Sequence, residues 1–458
     1  MAYHGADPNT FDSGALAGHG PARRGEIMRL NIWPNRRASI TILCLTVLGL
    51  TARSAGAQFL QYTPPGGPEL RPETRQEQLK RELAAAKYHL GPVRIAPWAS
   101  LHDLAYVRSL LSSGLRQPND FTATVGAGFR AYLRNGPKAT WTAQVLPEYV
   151  WWQRQSQQRQ LNGRYLLGFN GYFNHLTVEL KAGREQQQQL VTPEVPVPVN
   201  SRRDGGELLT ELELTGAFSA FAAVSFNRQN NLVDDLPDPR TSAIRLLDRD
   251  DSVVRGGVRW RPDRQWSVAL GAERSQTTFA HSALDRSNRG TAPVAEVSFR
   301  GRGIAFQVDA ADRSQTAAQG AAFVPFHEVT GDAALTLGNS ERTSATLYAS
   351  RNLLYSLSQD YAYLDDERVG AALNATFGHR TYGRVFVEGG HERYTAFSPS
   401  TPPRSDAVSS YGASLTLALR QGFTVGVRGI RSRFDSNLPG ADRNYTSVGL
   451  TVNLTGFQ

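Results

Sequence analysis

The sequence predicts an all-β protein, an antiparallel up-and-down β-barrel of about 18 strands with a short N-terminal helix before it. Three observations predict this fold. Apolar and polar residues alternate with a period of two from Val93 onwards; the connections between the alternating segments are short and long in turn; and aromatic residues stand beside the short ones. A period of two is that of a β-strand, because successive side chains point to opposite faces.

The start of the chain has the features of an export signal. Residues 1–27 are interpreted as a leader or a start-site artefact, and 28–57 as a signal peptide that is cleaved before Gln58. The signal has a cationic part, an apolar run and small residues at the cleavage site, in that order: Arg29, Arg36 and Arg37; 40–50; and 55–57. The apolar run is shorter than the roughly 20 residues that a spanning helix needs.

Residues 58–91 are predicted to form a periplasmic linker and a helix over 72–89, ended by Gly91 and Pro92. The apolar stripe of this helix is thin and consists of Leu79, Leu83 and Ala86. A solvated lead-in is therefore the favoured interpretation. A plug, or a contact for a periplasmic partner, is the alternative.

Residues 92–458 carry the alternation and are predicted to be the barrel. In one segment Phe121, Val125 and Phe129 alternate with polar or small residues such as Thr122 and Thr124. The segments are longer than an average strand of about 5–6 residues and long enough to cross a membrane, which takes about 9–11. Lipid offers no hydrogen bonds to an open sheet edge, so a spanning sheet must close. The sequence thus predicts a transmembrane barrel.

The connections support an up-and-down path. Short turns are predicted at 135–136, 174–175, 216–217, 262–263, 301–303, 338–339, 379–382 and 421–422. Longer polar connections fall between them, at 112–120, 156–162, 190–203, 230–248, 280–289, 315–325, 357–367, 397–406 and 435–443. Tight turns on one side and longer loops on the other are typical of a barrel inserted from the periplasm.

Aromatic residues beside the connections are candidates for a membrane girdle, because such rings favour the headgroup level. The candidates are Trp151, Phe173, Trp260, Trp266, Phe377 and Tyr382. The alternative is that each ring packs within the sheet.

A second set of candidates is charged and falls on the phase predicted to face the barrel interior. These residues are Arg130, Glu148, Glu179, Glu211, Glu213, Arg255, Arg259, Glu273, Glu296, Asp309, Arg384, Glu388, Arg420 and Arg428. Opposite charges inside a wide barrel either pair across the wall or line an aqueous path. Pairing is the more conservative expectation.

Charge and motifs exclude several function classes. The net charge is +9, but arginines are scattered along the chain among acids, unlike the basic face of a nucleic-acid binder. The sequence has no motif of a serine hydrolase, zinc protease or nucleotide-binding loop, so no enzyme, cofactor or metal is expected. The acidic runs at 234–238, 248–251 and 365–367 do not have EF-hand spacing and are interpreted as solvated loops. The single cysteine, Cys44, lies in the predicted signal.

The signal, the helix and the strands together resemble large Gram-negative outer-membrane β-barrel proteins, porin-like and largely uncharacterised. The segment 91–103, GPVRIAPWASLHD, resembles the first strand of such barrels, some of which are linked to exopolysaccharide systems. The last strand departs from the family pattern, because Gln458 stands where a terminal Phe is usual and Phe457 is penultimate.

The resemblance implies a bacterial outer-membrane location, contacts with lipid and lipopolysaccharide, and insertion by the barrel-insertion machinery. Because barrels of about 16–18 strands leave an aqueous channel, the predicted strand number favours passive diffusion of small hydrophilic solutes. The alternative is a barrel component of exopolysaccharide export or envelope assembly that has no open pore of its own and works with a periplasmic or polysaccharide-export partner.

Overall fold

The computed structural model describes residues 65–66, 75–111, 120–154, 156, 159–189, 191–194, 199–232, 244–280, 285–339, 342–378, 380–420 and 423–455. The predicted leader 1–27, the predicted signal 28–57 and the terminal Phe457 and Gln458 lie outside these residues. Among the described residues, no helix has both the length and the apolar character needed to cross a membrane.

The described residues form one α-helix, α1 (Arg75–Ala85), a short 3-10 helix (Ile244–Leu247) and nineteen strands. The strands are β1 (Tyr88–Leu90), β2 (Val93–Leu111), β3 (Asp120–Asn135), β4 (Ala139–Trp152), β5 (Gln160–Tyr172), β6 (Leu176–Gln189), β7 (Val199–Glu213), β8 (Phe218–Asn231), β9 (Arg249–Trp260), β10 (Trp266–Phe279), β11 (Asn288–Gly301), β12 (Ile304–Ala317), β13 (Phe326–Asn339), β14 (Thr343–Tyr355), β15 (Tyr361–Phe377), β16 (Thr381–Ala396), β17 (Arg404–Arg420), β18 (Phe423–Ser436) and β19 (Arg443–Thr455).

Strands β2 to β19 form a closed antiparallel ring of eighteen strands. Each strand pairs with its neighbours in sequence, and β19 pairs with β2 to close the ring, with Val448 opposite Tyr106. The predicted barrel and its strand number are confirmed. Closure satisfies the backbone groups that an open edge would leave without partners.

The short strand β1 pairs with the same edge of β2 as β19 does, just beyond the end of β19. Strand β19 ends with Thr455 opposite Trp98, and β1 pairs with the residues of β2 just beyond, Tyr88 lying opposite Ile95. Gly91 makes the turn between β1 and β2 with a φ of 59°. The helix predicted over 72–89 is therefore wrong at its C-terminal end, because Tyr88–Leu90 is a strand.

The two ends of the ring carry connections of different length. At one end, here called the turn end, strands are joined by tight turns such as 136–138 and 302–303. At the other, here called the loop end, the connections are longer and include 232–248 between β8 and β9. The predicted alternation of short and long connections is present around the whole ring, and it leaves β2 and β19 with their free ends at the turn end.

The two faces of the wall differ in polarity. In β3, Phe121 and Val125 are about half exposed on one face, whereas Thr122 and Thr124 on the other are buried. Paired positions in an antiparallel sheet share a face, so the register carries this division from strand to strand. Contacts between opposite sides of the ring, described below, identify the polar face as the interior.

Helix α1 packs on the interior face near the turn end. Its apolar residues Leu79 and Leu83 are buried with Ala86 against Tyr132 of β3. The Arg94 guanidinium donates to the Leu83 carbonyl at 3.0 Å. The expectation of a solvated lead-in is wrong for this helix, because even a thin apolar stripe is enough to dock eleven residues on an aromatic side chain.

Candidate functional site in the barrel interior

A first network of charges lines the interior wall of β7, β9 and β11. Arg259 lies between two carboxylates, 2.7 Å from Glu211 Oε2 and 2.9 Å from Glu296 Oε2. Arg255 reaches the other oxygen of Glu296 at 2.8 Å, and Arg261 also binds Glu211. Two-residue spacing places these side chains on one face, and antiparallel register brings them level. The network holds fixed charges of both signs on the wall.

Towards β13 the same wall carries a buried ion pair and then two further acids, Asp309 and Asp332. Arg313 of β12 pairs with Glu273 of β10 at 2.7 Å, and both side chains are almost fully buried. Asp309 of β12 lies directly opposite Asp332 of β13 and accepts from Gln307 Nε2 at 2.8 Å. This part of the wall is therefore locally acidic beyond the arginine network.

A second network lies closer to the loop end, on β15 to β19. Arg368 contacts Asp366 at 2.8 Å, Glu388 at 3.0 Å and Glu392 at 3.4 Å. Arg443 joins Glu392 at 2.9 Å to Asp406 at 2.7 Å. Buried charges are stable only when paired and hydrogen-bonded, as these are.

Glu194, in the connection between β6 and β7, crosses the interior to the far side of the ring. Its carboxylate accepts from Ser356 Oγ at 3.1 Å, from the amide of Leu357, and from Arg404 Nη1 at 3.3 Å. Strands β7 and β17 lie eight positions apart in a ring of eighteen, close to the maximum of nine. Such contacts can form only through the inside, which fixes the orientation of the wall.

Apolar residues from several loops gather at the loop end; we call this group the mouth cluster. Its buried members are Val191, Val199, Ile244, Leu247, Phe279, Phe323, Phe326, Leu353, Tyr355, Leu357, Ala362 and Tyr363. The ends of β14 and β15 supply four of them, and the connection between these strands supplies Leu357. Arg286 donates to the carbonyls of Ser356 and Ser358 and ties a further loop to the group. The mouth is thus narrowed by packed loops.

The turn end of the interior is narrowed by α1 and by polar side chains around it. Tyr132 donates to Glu82 at 3.3 Å, and Tyr172 donates to Glu179 at 2.8 Å. Deeper in the barrel, His102 Nε2 lies 3.2 Å from Glu148 Oε1. Of the predicted residues, Glu179 therefore lies near the turn end, whereas Glu148 lies closer to the loop end.

The structure places the predicted charged residues on the interior phase of their strands. The positions are Arg130, Glu148, Glu179, Glu211, Glu213, Arg255, Arg259, Glu273, Glu296, Asp309, Arg384, Glu388 and Arg428. Most are not brought into one site but divided among the two networks and the turn end. The side chain of Arg420 lies outside the described residues. Their role in transport stays a prediction.

Five of the six girdle candidates are exposed: Trp151, Phe173, Trp260, Trp266, Phe377. Trp266 packs against Phe299 and Phe306 with ring centroids 4.8 and 5.6 Å apart. Tyr382 differs, because it shares the interior phase of β16 and donates to Asn374 Oδ1 at 2.9 Å. Its assignment to the girdle is corrected; proximity to a short turn misplaced a residue whose parity points inward.

Sequence reasoning missed several charged residues near the loop end. Four of them were not singled out, although the register puts each on the same interior face as a predicted residue of its own strand or of a neighbouring strand: Arg368, Glu392, Asp406 and Arg443. Extending the two-residue rhythm to the strand ends would have found them. The contacts of Glu194 had no such signal, because they join a loop to distant strands.

The acidic runs have arginine partners. Asp365 pairs with Arg351 at 2.7 Å, and Asp250 pairs with Arg228 at 2.7 Å. The run at 234–238 lies outside the described residues. Across the part of the chain that the structure describes, no group of three or more His, Cys, Asp or Glu residues could hold a metal ion.

Comparison with known proteins gives matches of fold but not of sequence. No family model matches the chain, and no curated protein matches it. Among solved structures, Pseudomonas aeruginosa OpdQ is 10% identical with a TM-score of 0.47, over 79% of this chain and 97% of that one. P. aeruginosa OccK9 (OpdG) is 9% identical with a TM-score of 0.49, over 79% and 98%.

A third match is P. aeruginosa OccK2 (OpdF) in complex with glucuronate, which is 11% identical with a TM-score of 0.46, over 80% of this chain and 98% of that one. At this level of similarity the matches carry no information about solute or mechanism. The chain's own strand pairing, from β2 around to β19, identifies it as a closed eighteen-stranded antiparallel barrel.

Proposed function

We propose that the protein is a channel of the bacterial outer membrane for passive diffusion of small hydrophilic solutes. One observation carries the proposal: a closed ring of strands has an apolar outer face and a charged inner face. That distribution is the reverse of a soluble barrel, which fills its interior with apolar side chains.

The outer face supports the membrane location. Large apolar side chains such as Leu270, Val369, Phe377 and Val387 are exposed by 60% or more of their surface. Soluble proteins rarely expose a contiguous apolar area of more than a few hundred Å². Here the exposed side chains recur on strand after strand, so lipid is the medium that stabilises them. Outer-membrane lipid and lipopolysaccharide are accordingly the proposed surroundings, and the barrel-insertion machinery is the proposed route of assembly.

The inner face supports solute passage. Barrels of about 16–18 strands are wide enough to leave an aqueous channel. The arginine network around Arg259 and the acids Asp309 and Asp332 give the wall regions of different sign. We infer that pore width and wall charge set the selectivity, as they do in other channels. Neither a cofactor nor a catalytic role is proposed.

Purified protein in a planar bilayer tests the proposal. The expected result is stepwise conductance, together with liposome swelling by small neutral sugars that falls off with sugar size. The control is the same protein unfolded and diluted into the bilayer chamber. A folded and inserted barrel that gives neither conductance nor swelling contradicts the proposal.

A second candidate is a barrel that works with a partner in exopolysaccharide export or envelope assembly. The observation in its favour is that both ends of the interior are narrowed, by α1 at the turn end and by the mouth cluster at the loop end. Such a barrel would show no conductance without its partner. Conductance that appears only after a periplasmic or polysaccharide-export partner is added would support it over free diffusion.

A further inference from the structure

A short stretch of the N-terminal segment lies inside the barrel, far from α1. Pro65 and Gly66 are buried, and Gly66 contacts the interior face of β16. Helix α1, by contrast, packs on β3, five strand positions from β16 around the ring. The chain before the first strand therefore touches the interior wall at two separate places.

Both polar groups of Gly66 are bound by β16. The amide N–H donates to Glu388 Oε2 at 3.1 Å, and the carbonyl oxygen accepts from Arg384 Nη2. Arg384 and Glu388 are four residues apart and thus on the same face of the strand. The backbone of this one residue is therefore bound on both sides of its Cα, by a carboxylate and by a guanidinium, each of which is buried. Charged hydrogen bonds of this kind are about twice as strong as neutral ones.

The backbone conformation of this position favours glycine, and an aromatic ring lies against it in van der Waals contact. Phe386 lies between Arg384 and Glu388 in sequence, and its ring would be 3.4 Å from a Cβ added to Gly66. The φ of Gly66 is +122°, a conformation that other residues rarely adopt. On the wall side the ring lies over Gly412, where an added Cβ would come within 2.5 Å of it. The absence of a side chain at Gly412 thus leaves space for the Phe386 ring, and the backbone of Gly66 packs on the other side of this ring.

The Glu388 carboxylate, which accepts from the Gly66 N–H, is held in place by two other side chains. Tyr348 donates to Glu388 Oε2 at 3.0 Å, and Arg368 donates to Oε1 at 3.0 Å. Gly370 makes room for the Tyr348 ring, since an added Cβ there would come within 2.3 Å of it. A carboxylate held on both oxygens is pre-organised to receive an N–H group, which lowers the cost of binding.

We propose that Arg384, Phe386 and Glu388, with Tyr348, form a binding site for a glycyl peptide group, and that its ligand is the protein's own Pro65–Gly66. The segment acts as an internal ligand that obstructs the lumen. A short glycine-containing peptide competes with it, because it offers the same N–H donor and carbonyl acceptor without a side chain. The obstruction of transport rests on the proposed channel function, whereas occupancy of the site does not.

Occupancy is measured by thiol labelling of the full chain in a Cys44→Ser background. The thiol of Pro65→Cys should react about tenfold more slowly than that of Pro439→Cys, since Pro439 is exposed in the loop before β19 and a buried thiol must wait for release. Adding Gly66→Val should raise the rate at position 65 about tenfold, because a non-glycine residue at this φ is strained and its side chain meets Phe386.

The matched control is Gly440→Val. Gly440 also has a positive φ, +77°, but an added Cβ there would meet no atom within 4 Å. The control should leave the labelling rate at position 65 unchanged. Equal rates at positions 65 and 439 in the otherwise unchanged protein would overturn the assignment of the site.

Triglycine is the probe for the ligand class. At millimolar concentration it should raise the labelling rate of Pro65→Cys, whereas acetate, which has no N–H donor, should not. No effect of triglycine, with Pro65→Cys still protected, would overturn the peptide specificity.

Single-channel conductance tests the obstruction. Gly66→Val should conduct more than the unchanged protein, and Gly440→Val should match the unchanged protein. If the barrel conducts but Gly66→Val has no effect, the segment does not obstruct the lumen and the inference fails. If every variant is silent while labelling shows release, the proposed channel function fails and the binding site stands.

Discussion

Replacing Arg443 by methionine should lower the free energy of unfolding by about 3–5 kcal/mol, the usual cost of removing one partner from a buried ion pair. The side chain is 5% exposed and lies between the fully buried carboxylates of Glu392 and Asp406. Methionine fills a similar volume, so the main loss is the charge that compensates those carboxylates. Arg433→Met is the control, because Arg433 is 61% exposed on the outer phase of the neighbouring strand β18. An exposed pair is worth about 0–1 kcal/mol.

Denaturant titration of the folded barrel in detergent, followed by tryptophan fluorescence, measures both changes. Adding Glu392→Gln to Arg443→Met should recover part of the loss, since it removes one of the uncompensated charges. Equal costs for Arg443→Met and Arg433→Met would refute the reasoning. It would mean that the second network is open to water rather than buried inside the wall.

Three further predictions concern the mouth, the outer face and the helix. Glu194→Ala should increase conductance and speed amide exchange at Leu357, because about 1–3 kcal/mol of loop attachment is lost; unchanged conductance would show that the mouth is not limiting. Leu270→Arg on the outer face should cost about 2–4 kcal/mol in lipid vesicles, whereas Ser400→Arg in a loop should cost nothing measurable, and equal costs would argue against a lipid contact. Leu79→Ala should weaken the docking of α1 by about 2–5 kcal/mol, seen as faster amide exchange in the helix; unchanged exchange would argue against docking.

The sequence predicted the wall of the barrel well, because the wall depends on local rules. The alternation around Phe121 and Thr122 is a direct consequence of strand geometry, and it assigned outer and inner faces correctly. The short turn at 301–303 and the long connection at 230–248 were predicted from turn-forming residues and chain length alone.

The contents of the barrel were not predictable in the same way. Docking of α1 on Tyr132 and binding of Gly66 by Glu388 join residues 50 to 322 positions apart in the chain. No periodicity encodes such pairings. Glu194 illustrates the difficulty. In the sequence it is a lone acid in a proline-rich connection and resembles a solvated loop residue, and only the closed ring shows that Arg404 is its partner.

The seam between the first and last strands of the ring has a consequence for the order of folding. All the remaining pairs join strands that follow one another in the chain. By contrast, Tyr106 of β2 and Val448 of β19 can pair only when nearly the whole chain is in place. Pairs so distant in sequence form late, so until then β2 and β19 present unpaired edges. Strand β1 covers part of the β2 edge in advance through a local turn, and the seam is further marked by a shift of register between Leu450 and Val452. Aggregation during assembly should therefore begin at this seam.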